Sequence, residues 1–318
     1  MTLPRKQPTM MTQRLRVPRL ALVPLLLLAA GVAWGCNRMA QWQLPAEARA
    51  YFSAIAVNDV PLAQPQPGEW LYENQERGQS FYQYQQLRVA HPDSVRNTLY
   101  LLPIGRFSPL QRQVLTATRE YLAVYFQLPV VLLPIESDAT VPATARRRGD
   151  IGQEQLLAPY FLQNRLAGHL PPDGLALMAL TARDLYPKPE WNFVFGLASY
   201  PDRVGVTSLY RLQETHLTPR NYARCLTRLL SISSHELGHM LSLRHCTHAL
   251  CVMNGTNSLR ETDAHPNRLC SECQQKLYWT CRYNNRQRLQ DLQAFFRTHH
   301  LTRDAHAAAR DWQRLRPH

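Results

Sequence analysis

The pattern of apolar and polar positions divides the chain into distinct segments. "TLYLLPIG", Thr98 to Gly105, is a continuous apolar run closed by glycine and predicts a buried strand. "SPLQRQVLTATREYLAVYF" has Pro109 near its start and apolar residues three and four apart, which predicts a helix with one buried face. "VVLLPI" predicts a second strand, "RRRGD" a solvated turn, and "GQEQLLAPYFLQNRLAG" a second helix. "LALMALTARDLY", "EWNFVFGLAS" and "RVGVTSLYRL" predict three more strands, punctuated by Pro, Asp and Gly. "PRNYARCLTRLLSISSHELGHML" then reads as a long helix with Pro219 in its first turn. Strands and helices in this order imply an α/β fold, a twisted mixed sheet packed on the long helix with a small C-terminal subdomain after it.

Before the first strand the pattern changes. Residues 1–36 form a basic stretch followed by the apolar run "LALVPLLLLAAGVAWG" and Cys36, the order of an export signal. The run is short for a membrane span, which needs about 20 apolar residues. A small residue just before Cys36 resembles a bacterial lipoprotein signal, with Cys36 as the lipidated first residue; an uncleaved anchor and ordinary cleavage are the alternatives. All three place the body outside the cytoplasm, held at a membrane by the leader or its lipid in the first two. Residues 37–95, with "PLAQPQPGEW" and "QSFYQYQQ", read as a tether and irregular extension. Residues 96–281 form the body. Residues 282–318 read as one or two basic helices lying on its surface.

Charge alters this picture little. The formal net charge is +13, yet five basic residues stand before Cys36 without an acid, and eight Arg oppose three Asp after Cys281. The body between them is close to neutral. That distribution argues against a nucleic-acid-binding face, and nothing in it specifies an oligomeric state.

Chemistry concentrates in "HELGHMLSLRHCTHALCVM", from His235 to Met253. His235 and His239 stand four apart on a predicted helix, so both imidazoles project from one face. Glu236 lies beside them, where a carboxylate can take a proton from a zinc-bound water whose pKa has fallen to about 7. His245 follows His239 by six residues, about 240° away from the metal-facing side of a continuous helix. It joins the set only if the helix ends between them. Cys246 with Cys251, and Cys270 with Cys273, have the spacing of a closed tetrahedral zinc site. Disulfides are the competing reading for an exported chain. Cys225 and Cys281 are left without an assigned role.

Together these residues resemble the archaemetzincins, a branch of the metzincin zinc metallopeptidases, whose signature joins a HExxHxxGxxH helix and turn to CxxxxCxM and a later CxxC. The resemblance covers about Thr98 to Leu277. It implies an α+β metzincin-like fold with two zinc ions per chain. His235, His239 and His245 would hold the catalytic ion, with Glu236 as general base, and Cys246, Cys251, Cys270 and Cys273 the structural one. Met253 would support the first site from below at the Met-turn. The substrate would be a peptide or protein, lying antiparallel to an edge strand within "EWNFVFGLAS". The alternative is a zinc-stabilised binding protein on the same scaffold with little or no turnover. One departure from the signature matters most. Its glycine is Ser242 here, so a left-handed Ser242 is expected, unless the turn falls elsewhere and Ser242 stays helical.

Overall fold

The computed structural model describes Met39 and residues 43–315. The leader and Cys36 lie outside the described residues. Among the described residues no helix is long and apolar enough to cross a membrane.

Eight strands form two sheets: β1 (Thr98–Ile104), β2 (Val130–Leu132), β3 (Arg146–Arg148), β4 (Glu154–Leu157), β5 (Gly174–Thr181), β6 (Asp184–Tyr186), β7 (Gly196–Ser199) and β8 (Val204–Ser208). The larger sheet has the order β2-β1-β5-β8-β7 and the smaller β3-β4-β6. β1, β2, β5 and β8 run parallel, while β7 is an antiparallel edge strand hydrogen-bonded to β8. Strand β5, "GLALMALT", is buried at every position, as expected of a central parallel strand covered on both faces.

Seven helices build the main core beside the larger sheet, while the helical segment 158–166 covers its other face. α1 is Ala46–Ala56, α2 Phe81–Gln85, α3 Pro109–Phe126, α4 Tyr222–Met240, α5 Ser271–Cys281, α6 Asn285–Thr298 and α7 Thr302–Gln313. Ser108 and Gln111 form a reciprocal capping box at the start of α3. The main core unites residues from all seven helices and from β1 and β5.

Six expectations need correction. Residues 37–95 are not a tether in their described part. Ala48, Tyr51, Phe52 and Ile55 recur at helical spacing along α1, and they are buried in the main core with Phe81 and Tyr84 of α2. The Gln and Pro content that suggested a loose segment falls partly in exposed turns such as residues 63–68 and partly in ordered positions, with Gln83 and Gln85 in α2 and Gln79 buried. The terminal helices α6 and α7 are not laid on the surface either. Leu289, Leu292, Phe295, Phe296, Leu301, Ala305 and Ala308 are all buried in the same core, where Tyr121 of α3 meets both phenyl rings.

The "RRR" run is strand β3, paired antiparallel with β4, rather than a free turn. Arg147 reaches from it to the carbonyls of Pro189, Trp191 and Asn192. The segment predicted as a second helix begins as β4 and becomes helical only from Ala158 to Leu166, with its second turn widened to a π-helix. "LALMALTARDLY" is likewise divided between β5 and β6, which belong to different sheets. Pro219 precedes the long helix instead of opening it, since α4 starts at Tyr222 behind Asn221.

Candidate metal centres

Helix α4 carries His235, Glu236 and His239 and ends at Met240. Its exit turn brings His245 back. Ser242 adopts φ 69°, in the left-handed region. Its N–H bonds the His239 carbonyl at 2.8 Å, and the Leu243 N–H bonds the Gly238 carbonyl at 3.0 Å. These are the paired bonds of a Schellman end, which satisfies the last helix carbonyls while reversing the chain. The expected left-handed Ser242 is therefore observed. Gln79, from the N-terminal extension, clamps the same turn: its amide donates to the Ser242 carbonyl and accepts from the Arg244 N–H, each at 3.2 Å.

The three imidazoles meet as a result. One ring nitrogen from each of His235, His239 and His245 lies within 4.8 Å of the others, and the Nε2 atoms of His235 and His239 are 2.9 Å apart. Their outward nitrogens are all engaged. Nδ1 of His235 sits 2.8 Å from the Val252 carbonyl and Nδ1 of His239 2.7 Å from the Leu243 carbonyl. A carbonyl only accepts, so both Nδ1 atoms carry the proton and both Nε2 lone pairs face the common centre. Nδ1 of His245 faces both oxygens of Glu76 at 2.9 Å. Burial, then the neighbouring imidazoles, holds His235 well below the usual range; the same causes bring His239 to about 3. Converging imidazoles with outward-bonded partners fit a zinc ion.

Two glycines make room around this centre. A Cβ on Gly238 would stand 2.6 Å from the Met253 sulfur, so Met253 packs directly beneath the helix between the two histidines. A Cβ on Gly196, the first residue of edge strand β7, would stand 2.5 Å from a Glu236 carboxylate oxygen. Glu236 thus lies against the edge strand. Burial pushes its carboxyl up to about 8. Tyr200, just after β7, places its hydroxyl 2.8 Å from Nδ1 of His239. Burial and the charge of Glu236 push that hydroxyl up to about 12.

A cleft of about 650 Å³ opens over the histidines. Trp70, Trp191, Phe193, Phe195, Leu197 and Ile232 supply much of its apolar lining. Trp70 meets His245 edge to face and fits against Gly255, where a Cβ would lie 2.4 Å from its ring.

The four cysteines form a second cluster, fully buried and with their sulfurs within 4.8 Å of one another. Cys246 and Cys270 are 3.6 Å apart, well beyond the roughly 2.05 Å of a disulfide, and all four are free. Backbone N–H groups of His248, Met253 and Cys270 point at sulfur, at 3.4, 3.4 and 3.3 Å. Hydrogen bonds from Cys251, Cys270 and Cys273 hold the Cys246 thiol far below its usual range. Lys276 is buried nearby; the charges of Cys273, Glu272 and Cys246 outweigh desolvation and keep it protonated. Sulfur donors surrounded by N–H groups and one ammonium fit a tetrathiolate zinc ion.

The loop before Cys270 is fixed from both ends of the described chain. Arg268 is bound by Asp59, after α1, and by Asp311 of α7, each at 2.7 Å. Asp59 also accepts from the N–H and hydroxyl of Ser271.

The structure therefore brings together every residue predicted for the two sites. Sequence reasoning missed Trp70, Glu76, Gln79 and Tyr200, which lie outside the histidine–cysteine motif. Cys225 is buried in α4, and burial pushes its thiol up to about 12. Cys281, at the end of α5, is not part of either cluster.

Comparisons with known proteins point to one family. The family model "Peptidase family M54" matches residues 171–278. An archaemetzincin from Pyrococcus furiosus is 30% identical over 185 residues, covering 58% of this chain and 93% of that protein. Archaemetzincin-2 from Rattus norvegicus is 26% identical over 259 residues, covering 70% of this chain and 71% of the relative. The crystal structure of an archaemetzincin from Methanopyrus kandleri is 28% identical, with a TM-score of 0.48 over 60% of this chain and 99% of that one. The chain belongs to the archaemetzincins and is a zinc metallopeptidase of that family.

Proposed function

We propose that the chain hydrolyses peptide bonds at the three-histidine centre, with Glu236 as general base and then general acid. The observation that carries this reading is the convergence of three Nε2-presenting imidazoles beside a buried carboxylate at the floor of an open cleft. A zinc ion held by His235, His239 and His245 would polarise the scissile carbonyl, bring the pKa of a water to about 7 and favour the ionised form of a nearby carboxylate. Glu236 takes the proton of the attacking water and returns it to the leaving amine. Met253 supports the histidines from below, and the carbonyls of Val252 and Leu243 fix two of the rings.

The substrate lies extended along β7, the free antiparallel edge of the larger sheet. β7 passes Glu236 at Gly196 and reaches the His239 side at Tyr200. A peptide antiparallel to it enters from the Tyr200 end, with residues before the scissile bond near Tyr200 and those after it near Phe195 and Phe193.

Cys246, Cys251, Cys270 and Cys273 hold a second, structural zinc, giving two ions per chain. From the leader sequence we further infer export, with Cys36 as a lipid anchor to a membrane. Digestion of a peptide library by protein whose metal content has been measured tests the catalytic reading. Cleavage that stops with chelator and returns with zinc supports it. Two bound zinc ions without any cleavage would favour a binding protein on the same scaffold.

A further inference from the structure

A second cavity, of about 710 Å³, adjoins the catalytic cleft on the far side of His245 and Tyr200, residues that line both. Arg77, Arg88 and Arg244 line it, brought together from the N-terminal extension and from the turn after α4. Among the described residues, none of these three guanidinium groups has a hydrogen bond or ion pair to a carboxylate. The other arginines near the site contrast with this. Arg147, Arg183, Arg211, Arg228 and Arg268 are each tied to carbonyls or carboxylates. The one acid lining the cavity is Glu76, and both of its oxygens already face His245. The cavity thus presents three unengaged cations beside the reacting centre.

We propose that Arg77, Arg88 and Arg244 form a subsite for carboxylate side chains on the N-terminal side of the scissile bond, so that the enzyme prefers peptides with Asp or Glu there. This rests on the peptidase reading above and on the antiparallel docking along β7, which sends the N-terminal half of the substrate past Tyr200. Guanidinium groups suit the task because their planar N–H forks match a carboxylate. Three of them around one space, with no competing acid free, reward negative charge and repel lysine.

The test uses zinc-loaded protein and three fluorogenic peptides that differ only in the residues two to four places before the scissile bond: Glu, Gln or Lys. Wild type should show kcat/KM on the order of tenfold higher for Glu than for Gln at low salt, as expected for charge-assisted contacts at a half-open site, with the ratio falling as salt rises. In the triple variant R77Q/R88Q/R244Q the ratio should collapse towards one. In R77E/R88E/R244E it should invert in favour of Lys, a gain that misfolding cannot produce. A wild-type ratio near one, or a preference that survives the triple variant, would overturn the subsite. If no peptide is cleaved, the peptidase reading fails separately, and fluorescence anisotropy of the same three peptides decides the subsite: tighter binding of Glu, lost in R77Q/R88Q/R244Q, supports it, and equal binding rejects it. Vesicles containing phosphatidylglycerol provide the competing case. Arginine-dependent vesicle binding with no peptide preference would assign the patch to a membrane surface and overturn the proposal.

Discussion

The Glu76 carboxylate faces Nδ1 of His245 with both oxygens at 2.9 Å, joining the N-terminal extension to the last histidine of the motif. His235 and His239 are oriented by backbone carbonyls, whereas His245 depends on a side chain 169 residues away. The carboxylate fixes the tautomer and strengthens Nε2 as a donor. Glu76→Ala should lower zinc affinity at the histidine site about 10- to 100-fold, measured by competition with a chromophoric chelator. Glu76→Gln, which keeps an acceptor but loses the charge, should fall between. Unchanged affinity in both variants would show that the contact is incidental.

Glu236→Gln should abolish peptide hydrolysis and leave zinc content as in wild type. The amide keeps the shape that fits against Gly196 but cannot take a proton. Parallel measurement of turnover and bound metal checks this, and a fully active variant would place the general base elsewhere.

Two zinc ions per chain are expected in reduced protein. Cys251→Ser should lose one of them and destabilise the fold, because Cys251 accepts N–H bonds from Met253 and Cys270 and so ties the support of the first site to the second. Elemental analysis of wild type and variant decides the matter. A single ion in fresh wild-type protein would reject the cysteine site.

Ser242→Gly should raise stability by about 1 kcal/mol, since a left-handed residue with a Cβ costs about 1–2 kcal/mol that glycine avoids. The two contacts of Gln79 on this turn use backbone atoms of Ser242 and Arg244 and survive the change. A higher melting temperature with and without zinc is the expected result; a lower one in both conditions would refute it.

Asp59 is held below the usual carboxylate range: burial pulls it up, but hydrogen bonds from His248, Ser271 and Arg268 outweigh that effect. A depressed folded-state value means that its stabilisation is fully present above the unfolded value, about pH 4, and is lost as the pH falls through the folded value. Asp59→Asn should cost about 2 kcal/mol at neutral pH and make unfolding less sensitive to acid below about pH 4. Urea titrations at pH 7 and pH 3 measure both effects.

The central strands were legible as continuous apolar runs and the long helices by their periodic apolar face, and the two ligand sets because their donors are neighbours in sequence. Geometry required the helix to end between His239 and His245, since six residues cannot otherwise return His245 to the helix face; the resemblance, through the position of its glycine, put the left-handed residue at Ser242. Residues 43–95 were misread because the Gln- and Pro-rich stretch from residue 61 to 86 masked the apolar periodicity of α1, Ala48, Tyr51, Phe52 and Ile55, that stands before it. Single side chains such as Glu76 and Gln79 act across more than 160 residues, and no local pattern announces them. The β3–β4 hairpin was hidden because "RRR" presents no apolar face, and the Arg147 side chain finds its backbone-carbonyl partners only at residues 189–192.

The ion triad of Asp59, Arg268 and Asp311 has a consequence for the timing of assembly. Asp59 and Asp311 lie far apart in the described chain, so a nascent chain acquires the triad only after α7 has emerged. Until then the loop preceding Cys270 keeps its contacts with Asp59 but lacks the two of Arg268 with Asp311. Contacts of such sequence separation form slowly, and throughout that interval the thiols are open to oxidation by any disulfide-forming partner. Metal capture and the arrival of α7 therefore compete with oxidation during biogenesis, and a chain exported to an oxidising compartment faces that competition most severely.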